Sequence, residues 1–318
     1  MLLKVIDLHV WFRKKREIIR AVNGVSFSLS SNESLGLVGE SGSGKTITAL
    51  AIMRLIPAPG EIVKGEIWFD DQNLLTLSPN EMQHLRGKKI GMIFQDPMTA
   101  LNPVFTIGEQ ISEVYRYHFG CSAKEARERS IEMLKKVGIP GAESRFDVYP
   151  HQLSGGMRQR VMIAMALAAH PKLLIADEPT TALDVTIQAQ VLELMLNLKK
   201  EMNMSILFIS HDLAVVAQIA QKIAVMYAGK IVEMAIAEEI FKNPMHPYTQ
   251  ALLEAIPRIE NISFNRRHLK SIAGEGWGLV TGCAFAPRCN KKLSICPRQF
   301  PPYKNISPTH KVACWLYA

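Results

Sequence analysis

The stretch SLGLVGESGSGKT, residues 34–46, decides the fold. Its first part, SLGLVGE, is apolar enough to be a buried strand that ends in glycine. The second part, GESGSGKT at 39–46, has the pattern glycine, four residues, then Gly-Lys-Ser/Thr. Glycines at 39, 42 and 44 let the chain turn with positive φ, so that successive backbone N–H groups face one concavity, and a following helix adds its positive end. Gly39, Glu40, Ser41, Gly42, Ser43 and Gly44 then form a nest for a triphosphate. Lys45 places its ammonium on the outer phosphates, and the Thr46 hydroxyl supplies one ligand to Mg²⁺.

Working outward, the chain downstream of residue 157 alternates in type. RQRVMIAMALAAH (158–170) reads as a helix, KLLIADE (172–178) as a strand, VTIQAQVLELMLNLKKE (185–201) as a helix, SILFISH (205–211) as a strand, LAVVAQIA (213–220) as a helix and KIAVMYAG (222–229) as a strand. That alternation predicts an α/β protein whose largely parallel sheet is covered by helices on both faces. Upstream, VIDLHVWF (5–12) and AVNGVSFSLS (21–30) read as short strands. Between residues 97 and 157 the spacing turns helical, in IGEQISEVYRYHF (107–119) and AKEARERSIEMLKKVG (123–138), the latter closed by Gly138. This segment reads as an inserted helical subdomain. Past Pro257 the rhythm stops, no strand is expected, and a domain boundary falls there. No internal repeat and no low-complexity tract is visible.

Three further sites fit the phosphate loop. Asp177 ends an apolar strand at the edge where the loop also lies, so it can hold Mg²⁺ through water, and Glu178 would face the terminal phosphate as general base. Alone, an Asp-Glu pair after a strand is as compatible with a helix cap. LSGGMRQR (153–160) places Ser154, Gly155 and Gly156 at a helix start, a second phosphate-binding nest. One nucleotide needs one nest, so two nests in one chain suggest two chains joined head to tail. His211, two residues past the strand LFI, can donate from its imidazole to a phosphate oxygen while a backbone group fixes the tautomer. Asp184 reads as the cap of the helix that follows it.

With these residues in view the chain resembles the ATP-binding subunit of an ABC transporter over nearly its whole length. The resemblance implies a P-loop NTPase with a RecA-like core, an antiparallel β subdomain and the inserted helical subdomain, over residues 1–257. It makes 39–46 the Walker A loop, LSGGMRQR the signature, LLIADE the Walker B strand, Ala182-Leu183-Asp184 the D-loop, Gln95 in IFQDP the Q-loop glutamine and His211 the switch. ATP would lie between the Walker A loop of one subunit and the signature of its partner, with Asp184 at the interface. Gln95 would contact Mg²⁺ and the attacking water. The adenine would stack on an aromatic ring of the early strand, Phe12 aligning better than Trp11.

NPMHPYTQALLEAIP (243–257) and the Cys-Pro-rich stretch after it resemble the ATPase subunits of peptide and nickel importers. The cargo expected is a dipeptide or oligopeptide, with nickel the alternative. The implied partners are a second ATPase subunit, identical or homologous, two transmembrane permease subunits and an extracytoplasmic substrate-binding protein. A soluble ABC ATPase acting on nucleic acid is the rival reading, but such proteins join two cassettes in one chain and this chain has a single Walker A loop.

Composition sets the remaining bounds. The chain has 318 residues and a formal charge of +8. From 258 to 318 there are 10 Lys or Arg against 2 Asp or Glu, so the tail holds the whole excess. The longest apolar run, VMIAMALAA at 161–169, is too short to cross a bilayer. The N-terminus lacks the order of a secretory signal, so the protein is expected at the cytoplasmic face of the membrane, held there by a permease. Four of the 5 cysteines, Cys283, Cys289, Cys296 and Cys314, fall in the tail. Disulfides are disfavoured in a reducing cytosol, and zinc sites usually carry tighter cysteine pairs. Wider spacing among Gly and Pro turns suits four thiolates around a larger iron-sulfur cubane, with zinc or unlinked thiols as alternatives. Resemblance to members of the subfamily implies a 4Fe-4S cluster on these four residues in an irregular extension, 258–318. Cys121, in the helical region, reads as an ordinary packed or surface residue.

Overall fold

A computed structural model describes residues 1–14, 17–181, 183–256 and 281–318. Ala182 of the expected D-loop lies outside these residues, as does the expected boundary between 257 and 258. The chain opens with β1 (Leu3–Lys14) and β2 (Glu17–Leu29), paired antiparallel. They are much longer than the short strands expected, because register shifts around Asp7, itself at φ 45, let the pairing run on past polar interruptions. With β4 (Gly60–Phe69) and β5 (Gln72–Asn73) they make a four-stranded sheet in the order β2-β1-β4-β5.

The second sheet is built around β3 (Ser34–Val38), β6 (Ile90–Ile93), β7 (Leu173–Asp177), β8 (Ser205–Ser210) and β9 (Lys222–Tyr227). These pair in parallel in the order β9-β3-β8-β7-β6. Every residue of β3, β7 and β8 is buried, as expected of parallel strands covered on both faces. Alternation along β8 sorts its side chains: Leu207 and Ile209 join the core beneath the antiparallel sheet, whereas Ile206 and Phe208 join the helical core opposite. On the first side lie α1 (Lys45–Ile52) and α2 (Pro79–Leu85), and on the other α7 (Gly155–Leu167), α8 (Val185–Met202) and α9 (Leu213–Ile219).

The insertion carries α3 (Pro97–Ala100), α4 (Ile107–Phe119), α5 (Ala123–Lys136) and α6 (Ala142–Arg145) before the chain re-enters at α7. Its main helices begin on side-chain caps, Thr106 accepting from Glu109 N–H and Ser122 from Glu125 N–H, and α4 ends on Gly120 at φ 66. Cys121 is partly buried beside this core.

Beyond β9 the structure departs from the sequence reading. β10 (Lys230–Ile236) pairs antiparallel with β9, and past residue 257, where no strand was expected, β11 (Lys304–Ser307) and β12 (His310–Val312) form a hairpin. β12 pairs with β10, so the tail completes an eight-stranded sheet. The segments KNIS and HKV have no apolar alternation, and only pairing with β10 makes them strands. A buried carboxylate anchors the junction. Glu233 of β10 is 0% exposed and accepts from Met245 N–H at 2.7 Å, from His246 N–H at 2.9 Å and pairs with His310 Nε2 at 2.7 Å. Two oxygens thus tie together β10, the hairpin and the start of α11 (Pro247–Glu254), which follows α10 (Ala237–Lys242).

His246 caps α11 by accepting the Tyr248 N–H at Nδ1, so that nitrogen must stay unprotonated. Burial pushes its pKa down to about 3. An unfolded chain protonates His246 near pH 6.5 while the folded chain does not, so this residue makes stability fall as pH drops below 6.5, by about 1.4 kcal/mol per unit. Chemical denaturation between pH 7 and 5 should show this slope, and His246→Asn, which keeps a cap acceptor, should flatten it.

Candidate nucleotide site

The phosphate loop leaves the C-terminal end of β3 and turns directly into α1. Gly44 stands at φ 101, where a Cβ would lie 2.3 Å from the Ala21 carbonyl oxygen, so both conformation and space demand glycine. Lys45 is 4% exposed. Its Nζ donates to the carbonyls of Gly39 at 2.7 Å and Glu40 at 3.0 Å and sits 4.0 Å from Glu178 Oε1. Burial lowers its pKa, and the charges of Glu178, Asp177 and Glu40 oppose that shift. The ammonium is held in place by weak acceptors that an anionic phosphate would outcompete.

Asp177, the last residue of β7, is 2% exposed and accepts from Thr46 Oγ1 at 3.1 Å. Burial, with Glu178 adding to it, pushes its pKa up to about 6. A buried carboxylate of this kind beside a hydroxyl is the donor set a hard divalent cation takes. Glu178 follows at φ 48, a left-handed conformation unusual for a residue with a side chain and typical of functional sites. Its Oε2 accepts from Gln95 Nε2 at 3.3 Å and from Thr181 Oγ1 at 3.0 Å, and lies 3.1 Å from His211 Nδ1. The partner of the His211 ring is therefore this carboxylate, where the sequence suggested a backbone group.

Gln95, Asp177, Glu178 and His211 follow the C-terminal ends of β6, β7 and β8, and the phosphate loop follows β3, so one sheet edge collects all four. Gln95 and Glu178 border a cavity of about 390 Å³, and Asp177 and His211 stand one hydrogen bond away from it, on Thr46 and Glu178. Ser41, Gly42, Gly44, Lys45 and Thr46 form its floor, Gln95 and Glu178 one wall, and Phe12, Ile19 and Ala21 of the antiparallel sheet another. Phe12 rather than Trp11 reaches the cavity; Arg20 covers the Trp11 ring at 5.2 Å. Ile19 and Ala21 went unseen in the sequence, which shows no signal for them; Ile19 reaches the cavity because β2 pairs it with Phe12. Gly39 and Ser43, though part of the loop, do not line the cavity, and the Glu40 carboxylate turns away from it toward Arg288.

The second nest lies elsewhere. Ser154 caps α7 by accepting from Met157 N–H, with Gly155 next to it in open space, and neither Ser154, Gly155 nor Gly156 lines the cavity. Asp184 caps α8, accepting from Ile187 N–H at 2.9 Å. A Cβ on Gly156 would meet Ile187 at 2.9 Å, so these two helix starts are neighbours. A single chain thus keeps its two nests apart.

Cys283, Cys289, Cys296 and Cys314 line one small cavity together with His246, Phe285 and Trp315. All four are free thiols. Burial pushes Cys283 up to about 11 and also raises Cys289 and Cys314. Against that, Cys283, Cys289 and Cys314 each accept from the N–H two residues ahead, at Phe285, Lys291 and Leu316, a contact that favours thiolate. Among the described residues no set of three or more His, Cys, Asp or Glu is arranged to hold a metal ion.

A phosphate loop on a parallel sheet, two carboxylates at the next strand end and an antiparallel sheet beside it define an ABC-type ATPase. The ABC transporter family model matches residues 22–181, and the model "Oligopeptide/dipeptide transporter, C-terminal region" matches residues 232–296. The oligopeptide transport ATP-binding protein OppD of Bacillus subtilis is 53% identical over 99% of this chain and 88% of its own length. The dipeptide transport ATP-binding protein DppD of Haemophilus influenzae is 50% identical over 98% of this chain and 94% of its own. A dimeric ATP-binding cassette solved in a post-hydrolysis state with ADP and Pi superposes with TM-score 0.67 and 28% identity, over 74% of this chain and 99% of that one. The chain belongs to the ABC transporter family and is an ATP-hydrolysing transporter subunit. Within that family it falls in the oligopeptide/dipeptide branch of ATP-binding subunits. Among the described residues no helix is long and apolar enough to cross a membrane.

Because the folded pKa of Asp177 is raised, the folded state holds a proton that the unfolded state releases between pH 3.8 and about 6. Stability from this residue falls as pH rises through that window and stays low above it. Nucleotide-free Asp177→Asn should therefore gain stability over wild type at pH 7, on the order of 2 kcal/mol, and lose that advantage near pH 4. Paired denaturation curves at the two pH values test the sign.

Proposed function

We propose that this chain binds MgATP in the 390 Å³ cavity and hydrolyses it to drive uptake of dipeptides or oligopeptides through a membrane permease. The observation that carries the ATP part is the convergence of Lys45, Thr46, Gln95 and Glu178 on one cavity with Phe12 at its side, Asp177 and His211 being bonded to Thr46 and Glu178. The peptide cargo is supported by likeness, along almost the full chain, to proteins named for oligopeptide and dipeptide transport.

In this reading the loop residues that line the cavity, Ser41, Gly42 and Gly44, and the Lys45 ammonium bind the phosphates, and Phe12 stacks on the adenine. Thr46 and Asp177 would hold Mg²⁺, with Gln95 reaching it as the site closes; the ion would supply charge neutralisation at the phosphates. Glu178 orients and deprotonates water. It is already positioned by Gln95, Thr181 and His211, so its carboxylate needs little reorganisation. The separation of the two nests supports a head-to-tail pair, in which Ser154, Gly155, Gly156 and Asp184 of one subunit close the cavity of an identical or homologous partner. Two permease subunits would hold this pair at the cytoplasmic face of the membrane, and an extracytoplasmic binding protein would deliver cargo.

Residues 1–257 form the cassette in this account and 258–318 the extension. We assign the four tail cysteines to a 4Fe-4S cluster. They share one cavity, and an N–H group points at each of the four sulfurs. Four thiolates alone would repel one another, and the cluster's irons would remove that cost.

Two experiments test these assignments. Glu178→Gln should lower ATP turnover of the assembled transporter by about 100-fold or more while an ATP-bound subunit pair accumulates on size-exclusion chromatography; turnover near wild type would remove Glu178 as the base. Anaerobically purified chain should be brown with about four irons per molecule. One zinc per chain, or no metal at all, would overturn the cluster.

A further inference from the structure

Glu40 is the second residue of the phosphate loop, yet its side chain serves no part of the nucleotide cavity. Its carboxylate forms a two-pronged ion pair with Arg288, Nη1 donating to Oε2 at 2.8 Å and Nη2 to Oε1 at 3.0 Å. The Arg288 side chain is 9% exposed, and Nη1 also donates to the Tyr227 hydroxyl at 3.2 Å. The backbone N–H of the same Glu40 donates to the hydroxyl of Tyr248, which is fully buried in α11. Tyr227, Tyr248 and Phe285 pack against one another with ring centroids 4.6 to 5.4 Å apart and form the floor under the guanidinium. Both polar ends of one loop residue are therefore held by the C-terminal part of the chain. Arg288 is the residue immediately before Cys289, and Phe285 lines the cysteine cavity.

We propose that Arg288 is a positioning residue of the ATP site: through Glu40 it pre-orders the phosphate loop, so the assembled cysteine-rich segment sets how tightly nucleotide binds. The proposal rests on the ATP reading of the cavity. A nest of amides binds phosphate well only if its N–H groups are aimed before the ligand arrives, because a loop that must order on binding costs affinity. A planar guanidinium on a carboxylate fixes direction as well as distance, which a lysine does not. Glu40 and Gly39 also supply the carbonyls that hold Lys45, so the latch acts one bond away from the group that meets the phosphates. Neither Arg288 nor Tyr248 approaches the reacting atoms, so their loss should weaken binding and leave the chemical step nearly intact.

The test uses the full-length chain for equilibrium binding of a fluorescent ATP analogue with Mg²⁺, and the complete transporter for KM and kcat. Arg288→Ala should weaken binding and raise KM for ATP by roughly 5- to 30-fold, within the range of coupling between linked sites. Its kcat should stay within about twofold of wild type, and Arg288→Lys should recover only part of the loss. Glu40→Gln should show the same split, and the double variant E40Q/R288A should bind no more weakly than Arg288→Ala alone, because the two act as one unit. If Arg288→Ala proves insoluble, Glu40→Gln reads the same pair from the loop side. Unchanged binding and KM, with only a lower melting temperature or a smaller active fraction, would make Arg288 merely structural and overturn the proposal. Lys45→Ala is the control for the underlying reading: if it binds nucleotide like wild type, the cavity itself has been misassigned, whatever Arg288 does.

Discussion

One buried ammonium facing two carboxylates governs this molecule. Lys45 has almost no contact with solvent, and Asp177 and Glu178 sit across from it at the end of the next-but-one strand. Removing three charges from water is expensive unless each finds a partner. The structure meets that constraint with the carbonyls of Gly39 and Glu40 for the ammonium, the Thr46 hydroxyl for Asp177, and three side-chain groups for Glu178. These partners come from the ends of β3, β6, β7 and β8, so the parallel sheet must hold its strands in register for the charges to be satisfied at all. A nucleotide with its cation would replace the weaker of these contacts with stronger ones, which is why a site held under such electrostatic load is suited to binding MgATP.

The same economy explains the far side of the phosphate loop. A glycine-rich turn has little of its own to keep its shape, and the chain supplies supports from distant segments. Tyr248 and Arg288 hold Glu40 from behind, while Glu233 pins α11 and the β11–β12 hairpin to β10. The tail is therefore continuous with the catalytic sheet, and the four cysteines gather in a cavity whose wall includes the capping residue of α11, His246. What looks in the sequence like an appendage is structurally the support behind the phosphate loop.

The central strands and the helices between them were legible because burial on both faces forces continuous apolar runs such as LLIAD and SILFIS, and because the helix starts at Ser154 and Asp184 are local chemistry. The phosphate loop was legible for a related reason: positive φ at Gly42 and Gly44 and a lysine at a set spacing are properties of consecutive residues. The hairpin at 304–312 was not, since its strands are polar and owe their existence to β10. Nor were Ile19 and Ala21 as neighbours of the site, because both reach it from β2, a strand with its own unrelated pattern. Glu40 shows the limit most clearly, belonging by sequence to the nucleotide nest and by structure to an ion pair 248 positions away.

Sequence alone therefore determined the class of fold, the phosphate-loop pattern and the family to which the chain belongs, since these depend on local spacing and on runs of like residues. Tertiary structure alone decided which groups face one another: His211 with Glu178, Glu40 with Arg288, Glu233 with His310, and four separate thiols with a common cavity. The physical reason is that hydrogen bonds and ion pairs act over a few ångströms in space, whatever the distance between their partners along the chain.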